Sequence, residues 1–301
     1  MSGQGRIISA SRRTDIPAFY TPWLMNRIRV GFCYYPNPVY PAKFYRVSLL
    51  KEDVSGFVFW TRHPAPIMPY LPELDRAGFP YYFQYTVTGY PQAIDGSSPP
   101  VETAIKNFLA LSEAVGPDRV VWRYDPIILS AEITAEWHHN NFRRLADAIG
   151  SAAHHLVISI VDPYMKTQRR LGSVDNGVCY SIEAYTDLLS WIVSEAKNRN
   201  LRVESCAEVS LLVPGIVSGR CVDAHLLNKI SGRESSPPVL HKQRAGCLCH
   251  YSVDIGVNNT CGFGCTYCYA TSKLGRAREM SNRHYSEWTC ISQDVCMNEH
   301  V

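Results

Sequence analysis

The chain has 301 residues, 46% of them hydrophobic, and a formal net charge of +3. That length suits one large α/β barrel domain or two medium ones, and the composition excludes a disordered chain. The mild charge falls short of a dedicated nucleic-acid binder. No run approaches the ~18 apolar residues of a membrane span, and Met-Ser-Gly-Gln-Gly-Arg-Ile-Ile-Ser-Ala lacks the apolar core of a signal peptide. A cytoplasmic protein with no membrane partner is expected.

The first expected strand is Arg6–Ala10, with a further candidate at Tyr45–Leu49. Phe57–Thr61 and Tyr81–Val87 follow as β-branched and aromatic runs. Val101–Val115 reads as a helix with Ile105, Phe108, Leu109 and Leu111 on one stripe. Val120–Tyr124 is the next strand, then a helix over Thr134–Ile149 with Thr134 as N-cap. His155–Val161 is a strand. Ile182–Asn198 is a helix carrying Tyr185, Leu188, Leu189, Ile192, Val193 and Ala196 at three-to-four spacing. Arg202–Ala207 is a sixth strand.

Strands alternating with helices imply βαβ units and a parallel sheet. The expected fold is α/β, a full or partial (βα) barrel of parallel strands with a C-terminal iron–sulfur cluster loop. One domain is expected over 1–301: residues 1–231 form the main barrel units, and 232–301 a Cys-rich cluster-binding segment and tail. Gly232–Pro238 reads as an exposed connection. Tyr251–Gly256 is a candidate for one more strand, feeding directly into the cysteines.

Eleven cysteines are unevenly placed. Cys33, Cys179, Cys206 and Cys221 are scattered, and Cys290 and Cys296 lie in the tail without an assigned role. Cys247, Cys249, Cys261, Cys265 and Cys268 crowd together, which in a reducing compartment points to metal binding rather than disulfides. The sharpest signal is C-x3-C-x2-C in Cys261-Gly-Phe-Gly-Cys265-Thr-Tyr-Cys268. Three cysteines within eight residues can give thiolates to three irons of a [4Fe–4S] cluster. Gly262 and Gly264 permit the tight turns. The fourth iron stays open to a ligand, which suits chemistry better than electron storage. Structural zinc is the alternative: it wants four ligands, and Cys247-Leu-Cys249 could supply the missing thiolate. Cys247 and Cys249 could also hold a second metal with His250 or Cys206.

This segment, with the aromatic before its last cysteine, resembles the radical S-adenosylmethionine (SAM) enzymes, and Cys-Thr-Tyr-Cys-Tyr-Ala resembles the spore-photoproduct-lyase branch. More widely, the chain is similar to the family called domain of unknown function 1848. That resemblance rests on Ser9-Ala-Ser-Arg-Arg-Thr-Asp-Ile-Pro17, Trp122-Arg-Tyr-Asp-Pro126, Cys206-Ala-Glu208 and the cysteine block, and it covers most of the chain. The radical SAM resemblance implies that Cys261, Cys265 and Cys268 ligate three irons, that SAM chelates the fourth, and that Tyr267 lies by the adenine. It further implies reductive cleavage of SAM to a 5′-deoxyadenosyl radical, fed by an electron donor such as a flavodoxin or ferredoxin. The sequence departs from the pattern twice. The motif normally follows the first barrel strand, and no Gly-Gly-Glu run is present to hold the SAM amino group. A last strand lying beside the first would answer the former; Glu208 is the candidate substitute for the latter.

In a parallel barrel the active site forms at the strands' carboxyl ends, and here those ends are polar. They carry Ser9, Ser11, Arg12, Arg13 and Asp15; Trp60, Thr61 and Arg62; Thr86, Thr88 and Tyr90; Arg123, Tyr124 and Asp125; Asp162 and Tyr164; and Glu208. Arg12, Arg13, Asp15, Arg62, Arg123, Asp125 and Glu208 are the catalytic candidates, with Arg123 and Glu208 also candidates for cofactor binding. Arginines beside carboxylates can grip an anion, either the SAM carboxylate or a substrate carboxylate or phosphate. The plainer reading is a set of ion pairs closing loop entrances. His138 and His139 are expected at the surface of a helix, and His154 and His155 in structural roles. The function expected is a radical SAM-type enzyme acting on a small-molecule or unidentified substrate. Two competitors stand beside it: a non-radical iron–sulfur protein for electron transfer or nucleic-acid binding, and a barrel enzyme with structural zinc. The photoproduct-lyase likeness raises DNA, which the low charge disfavours.

Overall fold

A computed structural model describes residues 5–205, 208, 213–232, 239–240 and 246–293. Cys206, Ala207, Cys296 and most of the expected 232–238 connection lie outside them. The chain opens with β1 (Arg6–Ala10), α1 (Ile16–Phe19) and α2 (Thr21–Val30). An antiparallel hairpin of β2 (Phe32–Pro36) and β3 (Phe44–Ser48) stands apart as a two-stranded sheet. Then come β4 (Val54–Thr61), α3 (Leu71–Arg76), β5 (Tyr81–Thr86), α4 (Gln92–Asp95), α5 (Val101–Val115), β6 (Val120–Ile127) and α6 (Ala135–Ile149). β7 (His155–Ile160), α7 (Met165–Gly172), α8 (Thr186–Lys197), β8 (Arg202–Ser205), β9 (Ile216–Ser218), α9 (Ala224–Ser231), β10 (Ser252–Asp254) and α10 (Leu274–Arg283) complete the order.

The main sheet has eight parallel strands in the order β10-β1-β4-β5-β6-β7-β8-β9. The expected α/β class and parallel sheet are therefore present. The extra strand from 251–256 condenses to β10, which pairs with β1 in parallel, Ile8 opposite Val253 and Ser9 opposite Asp254. The candidate at 45–49 is not a member of this sheet but one arm of the hairpin.

Period-2 alternation divides the strands between two apolar layers. Ile8, Phe57, Phe59, Phe83, Trp122 and Tyr124 face the helices, packing with Phe108 and Leu111 of α5, Phe142 and Leu145 of α6, and Leu188 and Ile192 of α8. The other face presents Ile7, Val58, Tyr82, Val121 and Val157, covered by Cys221, Val222, Ala224, Leu227, Cys247 and Cys249. The covering segment is fixed by polar bonds: Tyr82 Oη donates to Cys221 O at 2.8 Å and accepts from Asp223 N at 2.8 Å. Both faces of the sheet are thus shielded, as a parallel sheet requires.

The expected N-cap holds, for Thr134 Oγ1 accepts from Trp137 N at 3.1 Å. Two helix assignments need correction. Leu109 is 42% exposed, and the stripe of α5 closes through Ala104 and Ser112 instead. His138, expected at the surface, is fully buried. Its Nε2–H donates to Ile128 O at 2.8 Å, so Nδ1 carries the lone pair that accepts from Tyr124 Oη at 2.7 Å. Asn141 Nδ2 donates to that same hydroxyl at 3.2 Å. No described helix is long and apolar enough to cross a membrane.

Candidate functional site

In a parallel sheet every strand delivers its next loop to the same edge. The loop after β10 carries Cys261, Cys265 and Cys268, and it meets the loops after β1, β4, β5 and β7 there. Tyr269 Oη donates to Arg12 O at 3.0 Å, Tyr267 reaches Arg62 and Asp95, and Arg170 of α7 donates to Cys268 O and, at 2.7 Å, to Thr271 O.

Gly96 explains how closely the cysteine loop approaches. Its φ of +62° suits glycine, and an added Cβ would lie 2.3 Å from Phe263 O and 2.8 Å from Gly264 C. Ser97 N donates to Phe263 O at 2.7 Å. Phe263 packs on Phe19 of α1, ring centroids 4.7 Å apart.

Cys261 feels the charge of Cys265 and Cys268, and Cys265 that of Cys268. Burial, followed by Asp15 and the two other thiols, pushes Cys261 well up. Burial raises Cys265 to about 11, although Arg62 pulls it down. Cys265 Sγ has only long contacts with protein, 3.6 Å to Asp95 O and 3.8 Å to Ser98 Oγ. Three clustered thiols become thiolates together only when a cation balances them, a charge that iron would supply. The donor set therefore fits a group with three irons to ligate. Among the described residues no three His, Cys, Asp or Glu side chains gather as ligands of a single metal ion. Cys247 and Cys249 are buried against the sheet with Cys221, and His250 Nδ1 accepts from Ala224 N at 3.1 Å, at the start of α9.

Around the loop stand two polar networks. In the first, Arg62 Nη2 donates to Asp95 Oδ2 at 2.5 Å and to Thr88 Oγ1 at 2.9 Å, while Nη1 donates to Tyr267 Oη. Tyr267 in turn donates to Asp95 Oδ1 at 2.6 Å. Asp15 Oδ2 accepts from Arg62 N at 2.7 Å, and burial pushes the Asp15 carboxyl up to about 7. A cavity of about 270 Å³ adjoins this network, with Arg62, Thr86, Thr88, Gln92, Asp95 and Ser98 in its wall.

The second network centres on Asp254. It accepts from Ser11 Oγ at 2.5 Å, Ser9 Oγ at 2.9 Å, Arg12 N at 2.9 Å and Arg13 Nε at 3.2 Å. Burial opposes its charge, but Arg13 and Arg12 hold it below the usual carboxylate range. Further along, on the same sheet face as Val121, Arg123 forms a fork with Asp125 and gives Nη1 to Gln84 Oε1 at 3.1 Å and Cys221 Sγ at 3.3 Å. Glu208 Oε2 accepts from Ile160 N at 3.2 Å, at the end of β7.

The expected candidates divide accordingly. Asp15 and Arg62 join Tyr267 and the cysteines; Arg12 and Arg13 join Asp254 beside Tyr269; Arg123 and Asp125 pair across the sheet face. Tyr90 is structural, its hydroxyl bridging Pro126 O and Ile128 N at 2.9 Å each. Sequence reasoning passed over Asp254, Asp95 and Arg170. Asp254 ends a candidate strand, so the polar-end rule that found the others would have found it. Asp95 and Arg170 sit in loop helices with no periodic signal. A family model described as domain of unknown function (DUF1848) matches residues 7–270. No curated protein and no solved structure matches the chain.

Proposed function

The chain belongs to the DUF1848 family, and we propose that it is a radical SAM-type iron–sulfur enzyme built on a permuted partial (βα) barrel. The observation that carries this is the pairing of β10 with β1. Taken by position in the sheet, β10 precedes β1, so the C-x3-C-x2-C loop follows the edge strand of a parallel run. The motif lies late in the chain, yet its loop opens at the edge where the other strands end.

In this reading Cys261, Cys265 and Cys268 hold a [4Fe–4S] cluster. Bound there and reduced by a donor such as flavodoxin or ferredoxin, that cluster supplies the electron for cleaving SAM. The chain's own residues position and shield. Gly96 and Phe19 support the loop from below through Phe263. Arg170 fixes the Cys268 and Thr271 carbonyls. Arg62, Asp95 and Thr88 pin the Tyr267 ring, the aromatic that the radical SAM pattern sets beside the adenine. Asp15 offers a buried carboxyl beside Cys261.

The test is anaerobic reconstitution with iron and sulfide, followed by SAM and dithionite. Absorbance near 400 nm with release of 5′-deoxyadenosine is the expected result. A colourless protein binding zinc, or a brown protein that leaves SAM intact, would overturn it.

A further inference from the structure

The arginines at the carboxyl edge of the sheet are not equally committed. An arginine has five N–H donors. Arg123 spends four of them, on Asp125 twice, on Gln84 and on Cys221. Arg62 spends three on Tyr267, Thr88 and Asp95. Arg13 spends two on Asp254, one to the carboxylate and one to the backbone carbonyl at 2.6 Å. Among the described residues the Arg12 guanidinium donates no hydrogen bond at all. Its nearest carboxylate approach is 3.7 Å, from Nε to Asp254 Oδ2, and that carboxylate is already engaged by Ser9, Ser11 and Arg13.

Arg12 is nevertheless held in place. Its backbone N–H is bound to Asp254 and its carbonyl accepts from Tyr269. Its guanidinium lies 5.8 Å from the centre of the Trp60 ring, which Arg123 also approaches at 5.1 Å. Trp60 is itself anchored, Nε1 donating to Ser9 Oγ at 3.1 Å. The Arg12 side chain is 20% exposed, so it is largely desolvated yet reachable. A fixed, half-shielded guanidinium with all donors free matches the planar fork that recognises carboxylate and phosphate. None of its nitrogens is among the buried side-chain atoms left without a partner, so water reaches these donors and an oxyanion can take its place.

We propose that Arg12, braced against Trp60 and next to the Tyr269 end of the thiol loop, is the receptor for a substrate oxyanion, a carboxylate or a phosphate. This rests on the reading of the thiol loop as the reaction centre, because it places the substrate's charged end beside that loop. Tyr269 links the two, following Cys268 by one residue and bonding to Arg12.

The experiment titrates the purified full-length, cluster-free protein with inorganic phosphate and separately with succinate, followed by calorimetry. Saturable binding of at least one anion is expected, weakened about tenfold or more by Arg12→Gln. Arg12→Lys keeps the charge but loses the fork and should weaken binding less, which keeps the test decisive if Arg12→Gln misfolds. Arg46→Gln, on the separate hairpin over Phe32, should bind as wild type does. No saturable binding of either anion, or equal affinity in wild type and both Arg12 variants, overturns the proposal. So does equal weakening by Arg46→Gln. A repeat on reconstituted protein saturated with SAM separates the sources of the oxyanion. Retained phosphate binding assigns Arg12 to substrate, whereas full competition assigns it to the SAM carboxylate and defeats the proposal. Anion binding that fails while the cluster assembles and cleaves SAM removes the Arg12 assignment and leaves the enzyme reading intact.

Discussion

The Tyr267 hydroxyl donates to Asp95 at 2.6 Å across 172 residues of sequence. The same carboxylate takes Arg62 at 2.5 Å, and Arg62 also bonds the tyrosine oxygen. Three side chains from three loops thus close a ring beside Cys265. Tyr267→Phe should lower stability by about 1–3 kcal/mol by leaving buried polar groups unpaired. Arg62→Ala should lower it more, by about 3–5 kcal/mol, because Asp95 keeps its charge without its partner. Denaturant melts of the two variants check this. Equal and negligible effects would mean the ring contributes nothing to the fold.

Cys265→Ala should leave a two-thiol loop unable to hold a cubane. Iron and acid-labile sulfide after reconstitution should fall to a small fraction of the wild-type values. Cys179→Ala, outside the loop, should retain them. Full iron and sulfide in the Cys265 variant would remove the cluster assignment.

Gly96→Ala places a methyl carbon 2.3 Å from Phe263 O, at a backbone conformation that L side chains rarely adopt. The cysteine loop must move. Lower cluster loading is expected, with a fall of several degrees in melting temperature. Gly116→Ala has a positive φ but nothing within 4 Å, so it should carry the strain without the loading defect. Equal loading in both variants would show that the close approach is immaterial.

Arg123 reads from the sequence as an anchor for SAM or substrate. In the fold its donors go to Asp125, Gln84 and Cys221. Arg123→Ala should therefore act mainly on stability, by about 2–4 kcal/mol, through the half-buried Asp125 charge and the Gln84 and Cys221 contacts it abandons. Chemical denaturation measures the loss. An unchanged midpoint, with weaker SAM binding, would restore the anchor role.

His138 is neutral in the fold, and burial holds it down at about 4 against an ordinary 6.5. The unfolded chain takes up its proton first, so this residue favours unfolding as pH falls from about 6.5 to about 4. Above about 6.5 it has no effect. The loss at the acid end approaches about 3 kcal/mol. His138→Gln should be less stable at pH 8 but should flatten the acid limb of a stability-against-pH curve. An unaltered slope would show that His138 does not titrate in this window.

Much of this molecule is written locally. The β-branched and aromatic runs that became β1, β4, β5, β6 and β7 could be read because a strand's two faces repeat every second residue. The Thr134 cap is likewise a property of a few adjacent residues, as is the C-x3-C-x2-C spacing of the proposed ligands. Tertiary structure decided what joins distant segments. Ser9 and Asp254 meet across 245 residues because β10 lies beside β1. His138 is buried because Tyr124 and Ile128 converge on its helix face. Arg12 and Arg123 both stand at strand ends in the sequence, yet the Arg12 guanidinium donates no hydrogen bond among the described residues while Arg123 spends four of its five donors. Periodicity fixes which face a side chain takes, but the partner it meets there is supplied by chain closure over hundreds of residues, and no local spacing encodes that.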